Sequence, residues 1–433
     1  MRDTFPGEVT SFAVKFLGCK VSQADAMLAR EALLAEGHHE VPEAEAELHV
    51  INTCCITNEA EAKSRQSVRR SLGSAARVYV TGCAVNLNPG QFSQLDERVS
   101  AVPGTADDVA AQIAGELGAC VDFEHGVLGP RAALPDRTRG FVKVQDGCDA
   151  HCAYCIIPSV RGPARSRPAS AIFAEVRRRV EHGQPEMVMT GISVGDYRDP
   201  EQGLELGQLM VEVAGIPGVE RVRLSSVEVV HVKESLLEAL AGEPKVCPHL
   251  HVPMQSGDND VLRAMGRHYS AEEYLEHIAA LRHAAPAVNL TTDVIVGFPT
   301  EDERAFERTL AAIDAAEISR VHTFPYSPRP GTAAAALGDR VPPEEKKRRS
   351  RVLRGHSEVR SRRHRAAKLG RPATVLVDKV AETQCAGYTE DYTRCYLPAG
   401  AAQRGSLVAV VCEELHADGL SCRVPHPAGL SSS

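Results

Sequence analysis

Two successive runs of alternating strand and helix patterns constrain the fold of this chain more than any other feature of its sequence. Alternation of this kind is typical of parallel sheets, because consecutive parallel strands need a crossover helix between them. Residues 10–124 are therefore predicted to form a doubly wound α/β domain. Its predicted strands are Phe12–Leu17, Leu48–Ile51 and Arg77–Thr81, and the amphipathic pattern Gln23–Glu36 is its first helix.

The second alternation follows residues 125–138, whose glycines and prolines predict a linker. It contains six β runs, too few for a closed eight-unit barrel, so residues 134–343 are predicted to form a partial (β/α)6 barrel. The predicted strands are Phe141–Gln145, Met187–Thr190, Arg221–Ser225, His249–Val252, Leu290–Val296 and Arg320–Pro325.

Residues 344–371 are rich in lysine and arginine and are predicted to form a connecting helix. Such a charge run is either a solvated helix face or an element that contacts phosphates, and the charge alone does not decide between them. Short β runs fill residues 372–427, which predicts a small β-barrel, a shape common in nucleic-acid binding.

The bulk composition places limits on partners and compartment. A net charge of −8 over 433 residues means that any RNA contact must come from local basic patches. No apolar run is long enough to span a membrane and the amino terminus lacks a signal-peptide core, so we expect a cytoplasmic protein. In that reducing compartment, thirteen cysteines are expected to serve metal or redox sites and not disulfides.

Three of the cysteines form a C-x-x-x-C-x-x-C motif directly after the first strand of the predicted barrel: Cys148, Cys152 and Cys155. Three thiolates can bind three irons of a [4Fe–4S] cluster, which leaves the fourth iron open to chelate S-adenosylmethionine for radical chemistry. A structural zinc site is the alternative, but it needs four ligands where the motif offers three.

Further residues lie where the barrel strands end, the face on which such folds place their active sites. They are predicted to contact the adenosyl cofactor, although each alone could be an ordinary turn or core residue. The set comprises Tyr154, Gly191, Ser226, Glu228, Gln255 and Gly297.

A second set of cysteines follows three strands of the amino-terminal domain: Cys19, Cys54 and Cys83. Loops after neighbouring parallel strands meet at one edge of the sheet, so these thiols are predicted to hold a second cluster. Cys55 competes with Cys54, and strand alternation favours Cys54. The remaining cysteines show no ligand spacing and are expected to be structural: Cys120, Cys247, Cys385, Cys395, Cys412 and Cys422.

Several segments resemble the radical-SAM methylthiotransferases over nearly the whole chain: Phe141–Arg167, Arg223–Glu228, His249–Asp258 and Asp293–Glu301. That family combines an amino-terminal cluster domain, a central radical-SAM domain and a carboxy-terminal RNA-binding TRAM barrel. The resemblance implies two [4Fe–4S] clusters, S-adenosylmethionine as cofactor, and transfer of a methylthio group to an unreactive C–H bond. It also implies an electron donor and a sulfur source, neither of which the sequence identifies.

Within the family, Gly18–Val21 and Thr57–Ala60 resemble the branch that acts on C2 of N6-threonylcarbamoyladenosine at position 37, in the tRNA anticodon loop. Ser22 and Cys55 depart from the usual pattern of that branch, and the carboxy-terminal β segment is divergent.

Three arginines that follow the first cysteine motif, Arg161, Arg165 and Arg167, are candidates for contact with a phosphate or with the substrate carboxylate. Internal salt bridges are an equal alternative. Three other functions stay open. The substrate could be isopentenyladenosine in tRNA or a ribosomal protein, or the chain could be a non-catalytic RNA-binding protein that retains a metal such as zinc.

Overall fold

The computed structural model describes residues 9–117 and 138–425. Within them the chain forms a parallel-sheet domain, a partial barrel, a long helix and a closed β-barrel, which confirms the predicted fold class. Cys120 and all but the last residue of the predicted linker 125–138 lie outside the described residues. No helix in the described part of the chain is long and apolar enough to cross a membrane.

The amino-terminal domain is a five-stranded parallel sheet in the order β2-β1-β3-β4-β5. Helices cover both faces, and all six residues of the central strand β3 are buried, as expected for a doubly wound sheet. Its strands are β1 (Ser11–Phe16), β2 (His39–Glu40), β3 (Leu48–Thr53), β4 (Arg77–Gly82) and β5 (Val99–Ala101). Its helices are α1 (Lys20–Ala35), α2 (Asn58–Ser71), α3 (Cys83–Leu87), α4 (Gly90–Ser93) and α5 (Ala106–Glu116).

The central domain is an incomplete parallel barrel. Two three-stranded sheets, β10-β9-β6 and β11-β12-β13, meet where β10 lies beside β11, and a small antiparallel hairpin, β7–β8, flanks them. The strands are β6 (Arg139–Lys143), β7 (Gln145–Asp146), β8 (Arg165–Ser166), β9 (Glu186–Thr190), β10 (Arg221–Leu224), β11 (His249–His251), β12 (Asn289–Val296) and β13 (Arg320–Pro325). The helices are α6 (Ile157–Arg161), α7 (Ala169–Glu181), α8 (Leu206–Ala214), α9 (Glu234–Gly242), α10 (Asn259–Ala264), α11 (Ala271–Ala284) and α12 (Glu303–Ala315).

The basic stretch forms helix α13 (Pro343–Ala366), which ends five residues before the predicted boundary because residues 367–371 turn into the next strand. The closed barrel that follows has the order β14-β15-β16-β18-β17. The strands are β14 (Pro372–Val380), β15 (Gln384–Thr389), β16 (Arg394–Pro398), β17 (Leu407–Leu415) and β18 (Leu420–Arg423).

The small barrel docks against the amino ends of the central strands. Arg223 of β10 donates hydrogen bonds to the carbonyl oxygens of Thr389 and Glu390, at 3.1 and 2.9 Å. Tyr392 follows in the same turn and packs against His249 at the start of β11, with ring centroids 5.0 Å apart. Tyr392 therefore closes one end of the barrel interior, here called the lumen, and leaves the opposite end to the cysteine loop.

Candidate active site

The loop that carries Cys148, Cys152 and Cys155 follows β7 and is held by backbone contacts. Gly147 begins it with a φ of 72°, and a β-carbon there would lie 1.9 Å from the carbonyl oxygen of Pro163, so only glycine fits. The backbone N–H of Cys148 donates to the carbonyl oxygen of Gly162 at 3.1 Å. All three cysteines are partly exposed free thiols. The loop thus presents three sulfurs at the carboxyl end of the central strands.

One guanidinium group contacts this triad. Nη1 of Arg267 donates to Sγ of Cys152 at 3.1 Å and to Oε1 of Glu228 at the same distance. Arg267 is nearly buried, and Glu228 also pairs with its Nη2 at 3.0 Å. A positive donor beside a ligand sulfur stabilises the thiolate form that metals require.

The spacing of both triads argues against a single metal ion. Metal–sulfur bonds of about 2.3 Å place the sulfurs of a mononuclear site roughly 4 Å apart. Within residues 9–117 and 138–425, neither Cys148, Cys152 and Cys155 nor Cys19, Cys54 and Cys83 bring all three sulfur atoms within 4.8 Å of one another. Three thiolate donors in each triad suit a [4Fe–4S] cluster with one open iron, whereas structural zinc needs four ligands.

The residues predicted to contact the adenosyl cofactor lie around this loop at the strand ends. Gln255 has a φ of 64°, rare for a residue with a side chain, and its backbone bridges β12 through Asp293 and Ile295. Gly191 lies so close to Gln145 that a β-carbon would be 3.0 Å from its carbonyl oxygen. Ser226 and Glu228 are partly exposed after β10.

Two other predicted cofactor residues have contacts within the protein. Gly297 has a φ of 74°, its N–H donates to Glu301 at 2.7 Å, and the stem of Lys346 covers its open side. Tyr154 packs against an apolar cluster that includes Phe298. Both residues border the end of the lumen that carries the cysteine loop, and part of the surface of each packs against other protein side chains.

The second triad lies at the carboxyl edge of the amino-terminal sheet. Cys19 precedes α1, Cys54 follows β3 and Cys83 begins α3, after three adjacent strands. A β-carbon on Gly18 would lie 3.3 Å from Sγ of Cys54, so this glycine allows the first loop to approach the second. Burial raises the pKa of Cys83 to about 11, and the nearby charge of Arg161 opposes that rise.

Cys54 and Cys55 differ in environment. Cys54 faces Gly18, whereas Cys55 is fully buried in an apolar core with Val68 and Val78. Burial raises the pKa of Cys55 to about 12. The geometry therefore favours Cys54 as the thiol that faces Cys19.

Arg161 links the second triad to the strand that precedes the cysteine loop. Its Nε donates to Sγ of Cys83 at 3.2 Å, and its terminal nitrogens lie 2.9 Å from Asp25 on α1 and 3.1 Å from Asp146 on β7. Lys143 completes the group with contacts of 2.7 Å to Asp25 and 3.1 Å to Asp146. The sulfur-bearing edge of one domain therefore meets the cysteine loop of the other through a buried, charge-balanced network.

The other two candidate arginines are placed differently. Arg167 pairs with Glu175 at 2.7 Å and donates to the carbonyl oxygen of Lys143. Arg165 is exposed and donates only to backbone carbonyls of Arg161 and Pro163. Of the three, Arg165 is the one that forms no ion pair with a described carboxylate.

Sequence reasoning missed a convergence inside the small barrel. Sγ atoms of Cys395, Cys412 and Cys422 all lie within 4.8 Å of one another, and those of Cys412 and Cys422 are 3.9 Å apart. Their spacing along the chain gives no sign of this, because closure of the barrel brings the strands together. All three are buried among valines and leucines, as small apolar residues often are.

The chain is similar to known proteins across most of its length. A sequence model of the Radical SAM superfamily matches residues 142–313, and one of the Uncharacterized protein family UPF0004 matches residues 11–104. The threonylcarbamoyladenosine tRNA methylthiotransferase MtaB of Thermotoga maritima is 34% identical over 394 residues, 88% of this chain and 90% of that protein. The tRNA-2-methylthio-N(6)-dimethylallyladenosine synthase of Solibacter usitatus is 35% identical over 384 residues, 85% of this chain and 86% of that protein.

A solved structure supports the fold. The radical S-adenosylmethionine methyltransferase TsrM from Kitasatospora setae aligns with a TM-score of 0.54 at 12% identity, over 73% of each chain. With the two triads and the sequence relatives, the predicted family, enzyme class and cofactors are confirmed. The chain belongs to the radical-SAM methylthiotransferase family and is a tRNA-modifying enzyme that uses two [4Fe–4S] clusters and S-adenosylmethionine.

Proposed function

We propose that this enzyme adds a methylthio group to C2 of N6-threonylcarbamoyladenosine at position 37 of tRNA, in the cytoplasm. The observation that carries the proposal is that Arg161, which follows the first cysteine motif, contacts Cys83 of the second triad and Asp146 just before that motif. Sulfur insertion at an unactivated C–H bond needs a radical source and a sulfur store close together. Relatives named for this substrate, such as the one from Thermotoga maritima, support the choice of nucleoside.

The proposal assigns the ligands residue by residue. Cys148, Cys152 and Cys155 hold the cluster that binds S-adenosylmethionine, and this group supplies the radical chemistry when bound. The auxiliary cluster is held by Cys19, Cys54 and Cys83. Cys54 is chosen over Cys55 because Cys54 lies against Gly18, next to Cys19.

The chain's own residues orient the cofactor and the reacting base. Glu228 fixes Arg267 beside Cys152, so the open side of the cysteine loop keeps one orientation. Ser226, Gln255 and Gly191 border the same end of the lumen and are proposed contacts of S-adenosylmethionine, with Tyr154 and Gly297 behind them. Apolar packing around Tyr154 keeps water from one side of this region.

The RNA is proposed to present one splayed base of the anticodon loop to the lumen, as sequence-specific recognition of RNA usually requires. Arg165 and the exposed face of α13 contact phosphates, and the small TRAM-like barrel holds the body of the tRNA. An electron donor and a sulfur source, both proteins or small molecules outside this chain, complete the reaction.

A second substrate has one specific observation in its favour. The relative from Solibacter usitatus, named for dimethylallyladenosine, is as similar to this chain as the relative from Thermotoga maritima. The substrate of this chain would then carry an uncharged hydrocarbon at N6 in place of a carboxylate. The two candidates therefore differ in charge, which makes them separable by experiment.

The deciding experiment is nucleoside mass spectrometry of bulk tRNA from cells that lack the protein, express it, or express Cys152→Ala. We expect 2-methylthio-N6-threonylcarbamoyladenosine only in cells with the intact protein. If cells without the protein lack the 2-methylthio derivative of isopentenyladenosine instead, the second substrate is established. No change in either nucleoside would contradict the tRNA assignment.

A further inference from the structure

Lys20 differs from the other cations around the lumen because it has no partner of opposite charge. It is the first residue of α1, directly after Cys19, and is half-buried. Within the described residues its ammonium group makes no ion pair or hydrogen bond, and its one contact is with the ring of Tyr392, whose centroid is 5.9 Å from Nζ. A half-buried charge without a partner is costly unless a ligand neutralises it.

The neighbouring arginines are all neutralised by protein carboxylates. Arg223 pairs with Glu186 at 2.9 Å, and Arg139 pairs with Asp378 at 3.2 Å. Neither carboxylate forms an ion pair with Lys20, although Glu186, which Arg221 and Arg223 share, is near enough to act on its charge.

The carboxylate deeper in the lumen is also engaged. Oδ1 of Asp293 lies 3.0 Å from Nε2 of His251, and His322 approaches the same oxygen at 3.8 Å. The backbone carbonyl oxygen of Asp293 accepts a hydrogen bond from the N–H of Gln255, so this residue adjoins a proposed cofactor contact. The lumen therefore runs from Gln255 to Tyr392 with Lys20 as its unpaired charge.

The electrostatic environment of His249 agrees with an excess of positive charge. Burial, and then the charges of Arg223 and Lys20, hold the pKa of His249 well below its ordinary value. The N-terminus of α1, which has no side-chain cap, adds partial positive charge beside Lys20. An anion bound beside Lys20 would offset part of this positive charge.

We propose that Lys20 forms an anion site in the lumen that binds the carboxylate of the threonylcarbamoyl group of the substrate. This inference rests on the proposed function and names the residue that determines its specificity. Backbone phosphates stay outside an interior site, whereas a splayed base carries its N6 substituent inward. An isopentenyl group would leave Lys20 unpaired, so the same residue selects against that substrate.

Lys20 suits this role better than the arginines after the cysteine motif. Arg161 and Arg167 are neutralised by Asp25, Asp146 and Glu175. Arg165 lies on the exposed hairpin outside the lumen. A carboxylate bound by one of them would have to displace a buried ion pair or remain at the surface.

The test compares Lys20→Met and Lys20→Arg with the wild-type chain, with both clusters present, on anticodon stem-loop RNAs. Three RNAs differ in one nucleoside: threonylcarbamoyladenosine, its uncharged carboxamide, and isopentenyladenosine. Lys63→Met, which removes an exposed lysine of α2 paired with Glu59, is the matched control. Iron content and electron paramagnetic resonance spectra verify both clusters, because Lys20 adjoins Cys19.

We expect Lys20→Met to raise KM for the carboxylate RNA by about tenfold or more, the loss expected for one charge-assisted hydrogen bond, with little change in kcat. Lys20→Arg should recover most of the affinity. For the carboxamide RNA, KM of the wild type should rise by the same factor. Lys20→Met should raise KM for this RNA no further, because the interaction with the carboxylate is already absent. Lys63→Met should behave as wild type throughout.

A second readout does not depend on the clusters. Fluorescence anisotropy of the cluster-free chain with the same RNAs should show the preference for carboxylate over carboxamide in the wild type and its loss in Lys20→Met. An unchanged preference in Lys20→Met, by either readout, overturns the inference while the proposed function stands. If the wild type modifies only the isopentenyladenosine RNA, the proposed function itself is wrong and the inference falls with it.

Discussion

The Nε atom of Arg161 donates a hydrogen bond to Sγ of Cys83 at 3.2 Å, across the boundary between the two α/β domains. The same guanidinium pairs with Asp25 of one domain and Asp146 of the other. On the opposite side of the boundary Arg267 makes the corresponding contact with Cys152 at 3.1 Å. Each triad thus has one sulfur that accepts a hydrogen bond from an arginine anchored by carboxylates.

From this contact we expect Arg161 to raise the reduction potential of the auxiliary cluster. Hydrogen bonds and positive charge near the sulfurs of an iron–sulfur cluster raise its reduction potential. Arg161→Met should therefore make the potential more negative, and Arg161→Lys should shift it less because the charge remains. A redox titration followed by electron paramagnetic resonance checks this, in a chain whose radical-SAM triad is replaced by alanines.

The control for this experiment is Arg98→Met, which removes an exposed arginine of the amino-terminal domain, paired with Asp96. It should leave the potential unchanged. Equal potentials for Arg161→Met and the wild type would show that the hydrogen bond to Cys83 does not persist when the cluster is bound.

Arg161 should also hold the two domains together. Its side chain is 7% exposed, and among the described residues its loss leaves Asp25 and Asp146 with Lys143 as their ion-pair partner. Breaking a buried pair from one side costs about 3–5 kcal/mol, so Arg161→Met should lower the melting temperature of the cluster-free chain markedly. Differential scanning calorimetry with Arg98→Met as the reference would measure this.

The ligand assignment predicts separable losses of iron. Cys152→Ala and Cys83→Ala should each reduce the iron content from about eight to about four atoms per chain, because each triad holds one [4Fe–4S] cluster. Cys55→Ala and Cys412→Ala should leave it unchanged, since both thiols lie in apolar cores. A loss of iron in Cys55→Ala, and none in Cys54→Ala, would reverse the choice between these neighbours.

Local motifs made one part of the site predictable from sequence. Cys148, Cys152 and Cys155 share one loop, so their spacing alone indicates a cluster. Cys19 and Cys83 are distant in sequence, and the strand-end rule for parallel sheets was needed to bring them together.

Contacts between domains were not predictable in this way. The interpretation of Arg161 as a substrate contact left out Asp25, because no sequence rule places α1 beside α6. The role proposed for Lys20 likewise depends on the positions of Tyr392 and Glu186, which belong to two other domains. Closure of the small barrel brings Cys395 to Cys412 for the same reason.

The stability of the central domain should depend on pH through Glu175. Burial raises the pKa of this carboxyl, but Arg179 and Arg167 outweigh it and lower the pKa to about 2. A depressed pKa stabilises the fold above the unfolded value of about 4.3, and that contribution is lost as the pH falls towards 2. Glu175→Gln should therefore lower the melting temperature at pH 7, and the difference from wild type should shrink below pH 4.

A final prediction concerns the binding of tRNA by the basic helix α13. Several of its cations are neutralised within the protein, such as Arg360 by Asp314. Arg351, Arg362 and Arg363 are exposed and have no ion-pair partner among the described residues. Replacing these three by alanine should weaken tRNA binding and flatten its dependence on log salt concentration by roughly 0.7–0.9 per lost phosphate contact.

Arg348→Ala provides the control on the same helix, because Arg348 is partly exposed but pairs with Glu303 and Glu345. Its loss should leave the salt dependence nearly unchanged, since its charge is already balanced by protein carboxylates. Filter binding of tRNA between low and physiological salt measures both variants. An equal change of slope in the two would mean that α13 acts through its overall charge, and no change in either would favour the solvated-face interpretation of this helix.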